Sequence, residues 1–150
     1  MEKQPKNSLY GLFPHLFEFD SEDRKWYESL EMTEESKIQF DGLDLAAKEF
    51  ALKHVLEPEE HTDAIEECGL RFKDGAFWYK ANLSKLNSLT AKEQNKVIDI
   101  ASILYSEKEA GCIEPEDDNF NENDVLDIIE VIKDCFQSGI DWASMVLFYD

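Results

Sequence analysis

The sequence predicts an α+β fold: a mainly helical single domain, with four or five helices packed on a small antiparallel sheet. Three observations predict it. Apolar residues recur at i, i+3, i+4 and i+7 through several long stretches, the mark of amphipathic helices. The segment L-R-F-K-D-G-A-F-W-Y-K, Leu70 to Lys80, alternates in the manner of two strands about Asp74-Gly75, a pair favoured in tight hairpin turns. A chain of 150 residues, 43% hydrophobic with ten Phe, suffices for one core and is too apolar for disorder.

Residues 1–8 read as a flexible polar tail before the domain. His15-Leu16-Phe17-Glu18-Phe19 alternates in part, and Pro14 confines it to an edge strand. Ser21 caps a short helix to about Met32, with Trp26, Tyr27 and Leu30 as its apolar contacts. Lys37 to Phe40 reads as a second short strand, followed by a turn at Asp41-Gly42. Leu43 to Leu56 reads as a buried helix. Its stripe is Leu43, Ala46, Ala47, Phe50, Ala51 and Val55, flanked by Leu45, Leu52 and Leu56. After Pro58 a short acidic helix, Glu59 to Cys68, is expected to stop at Gly69.

Beyond the hairpin, Thr90-Ala91-Lys92-Glu93 is a capping box. It opens a helix to about Lys108 with Val97, Ile100, Ala101, Leu104 and Tyr105 as its stripe, closed by Gly111. The last helix is the most strongly patterned. Val125, Ile128, Ile129, Ile132 and Phe136 share one side, widened by Leu126, Val131 and Cys135. Asp124, Asp127, Glu130 and Asp134 share the other. Asn121 or Asn123 is expected to cap it and Gly139 to end it. Val146-Leu147-Phe148-Tyr149 fits a final strand or a last helical turn or two from Asp141 almost equally.

Charge is the dominant feature: 34 Asp and Glu oppose 15 Lys and Arg, for a net −19. It is uneven. Residues 1–70 carry −11, residues 71–96 carry +4 and residues 97–150 carry −12. Such a chain repels phosphates and anionic membrane surfaces, which weighs against direct nucleic-acid or membrane binding. It attracts basic proteins and speeds their encounter. Solubility is the ordinary use of such acidity. No apolar run approaches a membrane span, the N-terminus lacks a signal-peptide core, and three cysteines without a close pair in sequence suit free thiols. A cytoplasmic location is expected.

Few residues invite chemistry. His54, His61, Cys68, Glu57 and Glu60 are the candidate metal ligands, but Pro58 interrupts the two histidines and no C-x-x-C or H-E-x-x-H occurs. Asp117, Asn119, Asn121 and Asn123 alternate like a calcium loop. However, Glu122 stands where that loop needs Gly, and Ile128 where it needs Glu. Any of Cys68, Cys112 and Cys135 could be paired with His15, His54 or His61, but Cys135 falls on or beside a buried helix face and Cys68 before a helix-ending glycine, where cysteines are ordinarily inert, and no phosphate loop or G-x-S-x-G is present. The basic-aromatic Arg71–Lys80 segment can stack bases in principle, but its aromatics are expected in the core. No metal, no cofactor and no catalytic activity are expected.

What remains is the acidic stretch from Glu114 to Asp134. Glu114, Glu116, Asp117, Asp118, Phe120, Glu122, Asp124, Asp127, Glu130 and Asp134 are the candidate partner-binding residues, with Phe120 as an exposed aromatic anchor. The expectation is an acidic inhibitor that docks on a basic protein, an immunity protein or antitoxin neutralising a nuclease-like toxin. A DNA mimic of the anti-restriction or anti-CRISPR kind is the alternative, and an enzyme without a recognisable motif a further one. Spacing favours the first. The helix carries four acids roughly 5 Å apart along its axis, whereas one DNA strand carries a phosphate about every 3.4 Å.

Overall fold

The computed structural model describes residues 9–17, 21–33, 41–55, 59–111, 113 and 121–148. In chain order they form α1 (Leu9–Leu12), a 3-10 turn (Pro14–Phe17), α2 (Ser21–Ser29), α3 (Leu43–His54), α4 (Thr62–Ala81), α5 (Leu83–Asn87), α6 (Ala91–Gly111) and α7 (Glu122–Phe148). No strand occurs among the described residues, so the expected α+β architecture is corrected to an all-helical one. No helix among them is long and apolar enough to cross a membrane.

The largest correction falls on Leu70 to Lys80. It is no hairpin but the C-terminal half of α4, a helix of 20 residues that also absorbs most of the expected short helix and runs straight through Gly69. The reason lies in its aromatics. Phe72 meets Phe50 of α3 at 5.0 Å and Trp142 of α7 at 6.1 Å between ring centroids. Trp78, on another side, meets Phe136 of α7 at 6.1 Å and joins a cluster with Tyr27, Leu86, Val97, Ile100, Ala101 and Ile140. An arm that is apolar on both faces as a strand is apolar nearly all round as a helix, and such a helix belongs in the centre. Burial from several sides outweighs the local turn preference of Asp-Gly.

Those two residues have other work. Lys73, Asp74 and Gly75 each engage a different neighbour. Lys73 Nζ lies 2.6 Å from Asp44 Oδ1 on α3. Asp74 Oδ2 accepts a 2.6 Å hydrogen bond from the Tyr105 hydroxyl on α6. Gly75 lies against the backbone of α7, where a Cβ would overlap the Phe136 carbonyl oxygen and stand 2.9 Å from its carbon. The contact is mutual. A Cβ on Gly139 would overlap the Phe72 carbonyl oxygen and stand 2.8 Å from its carbon. Gly139 therefore does not end the last helix. It lets α4 and α7 touch, and α7 continues to Phe148. The 142–149 segment is thus helical as far as it is described, and Tyr149 lies outside.

The flanking helices follow from simpler patterns. α3 runs antiparallel to α4, since Asp44 pairs with Lys73 while Ala47 packs beside Gly69. Leu43, Ala47 and Ala51 are its buried residues, whereas Leu45 and Leu52 point to solvent rather than flanking the stripe. The turn before it is as expected: Gly42 adopts φ +81°, a left-handed conformation that favours glycine. The Thr90 capping box forms fully, with Glu93 N–H donating to Thr90 Oγ1 at 3.2 Å and Thr90 N–H to Glu93 Oε1 at 3.0 Å. Asn82, almost wholly buried at the end of α4, clamps the chain after α2. Its side chain accepts from Thr33 N–H at 2.7 Å and donates to the Thr33 and Trp78 carbonyls at 2.8 and 2.9 Å.

The expected strand after Pro14 is corrected as well. Pro14–Phe17 is a 3-10 turn, as suits a proline at its first position, and Phe19 lies outside the described residues. Lys37 to Phe40, the 1–8 tail, Leu56 and Pro58 also lie outside them.

Candidate functional site

The candidate site is the outer face of α7, and its geometry begins at the cap. Asn121, not Asn123, is the capping residue. Its Oδ1 accepts from Asp124 N–H at 3.1 Å, and Asp124 Oδ2 accepts from Asn121 N–H at 3.0 Å. Asp124 is half-buried and committed to this reciprocal cap, so it is a structural acid rather than an outward charge. Glu122 is committed too: its Oε1 lies 2.6 Å from Nε2 of His15, which ties the start of α7 to the 3-10 turn.

The remaining expected acids on the helix stand free of ion pairs. Asp127, Glu130 and Asp134 are exposed, and none has an ion-pair partner among the described residues. Lys133, the nearest base in sequence, turns away to Asp99 Oδ1 on α6 at 3.5 Å. The inner face holds Val125, Ile132, Cys135 and Phe136 in the core, with Ile128 and Ile129 half-buried. Two of the residues expected to widen that inner face do not. Leu126 is 48% exposed and Val131 58% exposed. At about 100° per residue they border the acid row on its two sides.

Because α7 does not stop at Gly139, the row also extends. Asp141 is exposed two turns beyond Asp134, with Met145 exposed one turn further. Partial desolvation holds the Asp141 carboxyl above the usual carboxylate range. Neither residue belongs to the expected set. Extrapolating the 100° spacing past Gly139 would have found both.

Five of the described bases pair with the chain's own acids. Besides Lys73–Asp44 and Lys133–Asp99, Lys96 Nζ pairs with Asp23 at 3.2 Å and lies 4.8 Å from the centre of the Trp26 ring. Arg24 pairs with Glu28 and Arg71 with Glu67 within their own helices. Lys85 Nζ donates to the Leu30 and Glu31 carbonyls. Within the positive segment at 71–96, Lys73, Lys85 and Lys96 thus link separate elements, and its aromatics lie in or against the core.

Glu114, Glu116, Asp117, Asp118 and Phe120 lie outside the described residues, as does Asn119 of the calcium-like loop. His54 is exposed rather than part of the core stripe. It stacks on Phe50 at 3.9 Å, and its Nδ1 lies 3.0 Å from the Phe50 carbonyl. Among the described residues no group of three or more His, Cys, Asp or Glu is placed to hold a metal ion. One proximity is absent from any reading of the linear chain: the sulfurs of Cys68 and Cys135 lie 3.1 Å apart, buried between α4 and α7.

Comparison of the chain with protein-family models, with curated proteins and with solved structures found no match.

Proposed function

We propose that this chain is a non-catalytic, cytoplasmic binding protein that docks on a basic protein through the outer face of α7, in the manner of an immunity protein or antitoxin acting on a nuclease-like toxin. The observation that carries the reading is the contrast in charge use. Lysines 73, 96 and 133 are paired across helices within the fold, while Asp127, Glu130 and Asp134 stand exposed without such partners among the described residues. A rigid helix bearing unpaired acids between Leu126 and Val131 offers steering charge with apolar contacts beside it. A nuclease supplies the complement, because its cleft is cationic for its own substrate.

The axial rise between Asp127, Glu130 and Asp134 is about 4.5 and then 6 Å. Both steps exceed the roughly 3.4 Å between phosphates on one DNA strand, which favours protein-specific docking over mimicry of DNA.

The test is a charge reversal of Asp127, Glu130 and Asp134 to Lys, sparing Asp124 because it caps the helix. Wild-type and variant proteins serve as baits in the native host's lysate, and the affinity of each captured basic protein is measured by titration. The variant is expected to keep its helical circular dichroism and to lose at least tenfold in affinity, with wild-type binding weakening as salt rises. Equal affinity of the two baits would falsify the proposed face. A captured partner whose binding duplex DNA displaces would instead favour the mimic.

A further inference from the structure

We propose that Cys68 and Cys135 are a redox-sensitive pair that closes to a reversible disulfide between α4 and α7. The inference is independent of what the outer face of α7 binds. It starts from placement. The two sulfurs are 3.1 Å apart although the residues are 67 positions apart in the chain. Both are buried, in a small cluster completed by Ala51 of α3 and bordered by Phe50, Val55 and Ile65. A disulfide requires about 2.05 Å between sulfurs, so the sulfurs must approach by roughly 1 Å, a movement within reach of side-chain rotation.

The helices are already held at the required closeness. Cys68 lies two turns before Gly75 on the same side of α4, and Cys135 one turn before Gly139 on α7. The glycine contact presses the two backbones together, and the cysteines occupy the same seam. They are not part of a larger ligand set among the described residues.

The two thiols are chemically unequal. The hydrogen bond from the Cys135 thiol holds the Cys68 thiol below its ordinary range, helped by the Arg71 guanidinium and opposed by burial. The same bond, burial and the neighbouring Cys68 and Asp134 charges push the Cys135 thiol up, against a smaller pull from Arg71. Arg71, one turn beyond Cys68 on α4, favours a thiolate at this pair, and we assign Cys68 as the attacking sulfur and Cys135 as the resolving one.

With a peroxide as oxidant the steps balance. The Cys68 thiolate attacks one peroxide oxygen, the O–O bond breaks, and the leaving hydroxide takes a proton to become water. Cys68 is left as a sulfenic acid. The Cys135 sulfur then attacks the Cys68 sulfur, the S–O bond breaks, and a second water leaves with the Cys135 proton. Two thiols have lost two electrons to one peroxide. Reduction by a dithiol reverses the change. In a reducing compartment such a pair senses oxidation rather than acting as a permanent staple.

The experiment uses the full chain. Reduced protein is exposed in its folded state to hydrogen peroxide, quenched, alkylated under denaturing conditions and mapped by non-reducing mass spectrometry. A parallel sample is oxidised in guanidinium, where Cys112 competes freely for either partner. The folded sample is expected to lose two hydrogens, to yield a Cys68–Cys135 cross-linked peptide that dithiothreitol removes, and to unfold at a higher temperature until reduced. Both thiols found alkylated after the folded protein is oxidised would overturn the proposal. So would a pairing pattern identical to that of the unfolded control. Cys135→Ser sharpens it: Cys68 should then stop at the sulfenic acid or a mixed disulfide, whereas a Cys68–Cys112 cross-link formed in the folded variant at the wild-type yield would exclude Cys135 as the required resolving thiol.

Discussion

α4 meets its two largest neighbours in opposite ways. Against α7 its backbone touches backbone at Gly75 and Gly139, where no side-chain atom fits. Against α3 it packs at Gly69, where a Cβ would stand 3.8 Å from the Ala47 carbonyl oxygen and 3.9 Å from the Ala47 methyl, an ordinary contact. Both seams are lined by small residues and both are buried. Only one of them requires the absence of a side chain. Glycine in a helix interior is unfavourable by itself, so at Gly75 the close approach must repay that cost, while at Gly69 nothing visible does.

The sharpest way to break the comparison is to add a methyl on each side. Gly139→Ala or Gly75→Ala forces α4 and α7 apart, since the obstacle is a backbone carbonyl and not a movable side chain. We expect a loss of about 3 kcal/mol or more. In a chain of this size that lowers Tm by roughly 10 °C, read by thermal denaturation. A loss below about 1 kcal/mol would mean that the seam relaxes easily and that the two seams are alike. Next in size is Asn82→Ala. It removes both hydrogen bonds to the Thr33 backbone and one of those to the Trp78 carbonyl, and should lower stability by about 2 kcal/mol. If it costs more than the glycine variants, the polar clamp rather than the α4–α7 seam is the most demanding contact of α4.

Gly69→Ala should act in the opposite direction. It gains helix propensity without a clash and should raise stability by about 0.5–1 kcal/mol. The last effect is small and concerns charge away from both seams. Burial raises the Glu107 carboxyl above its usual range, against a weaker pull from Arg24. The folded state then holds this proton more tightly than the unfolded one, so ionisation costs stability from the ordinary glutamate pKa upward, and in full once pH exceeds the folded value. Glu107→Gln should therefore raise Tm at pH 7. The gain should shrink as pH falls through the raised range and vanish below the ordinary glutamate pKa. A gain that persists undiminished at pH 3 would assign the effect to something other than ionisation.

Helical spacing made much of this legible in advance. Leu43, Ala47 and Ala51 on α3 and Val125, Ile132 and Phe136 on the inner face of α7 were readable because each pattern reflects one apolar side facing one core, and the Thr90 capping box because it is a local exchange of hydrogen bonds. α4 was not, because a helix covered from several directions has no single side. Its scattered aromatics imitate alternation, and Asp74-Gly75 supplies a local turn preference that only tertiary packing overrides. Gly69 and Gly139 misled for a related reason: smallness and conformational freedom look identical in a sequence. For the outer face, the sequence supplied the acids but not their engagements. That Asp124 caps is a local exchange with Asn121, whereas that Glu122 meets His15 and that Lys133 turns to Asp99 depend on how separate elements come together.

Lys73, Asp74 and Gly75 carry one further consequence. Three consecutive residues of α4 contact α3, α6 and α7 in turn, so the rotational phase of the helix is locked at its midpoint. Inserting or deleting one residue just before Lys73 would turn everything upstream by about 100° relative to these contacts. The seams with α3 and α7 would then fall out of register together. The chain should tolerate length changes between helices far better than within this turn. The amide protons around Asp74 should be among the slowest to exchange with solvent, leaving only when the whole fold opens.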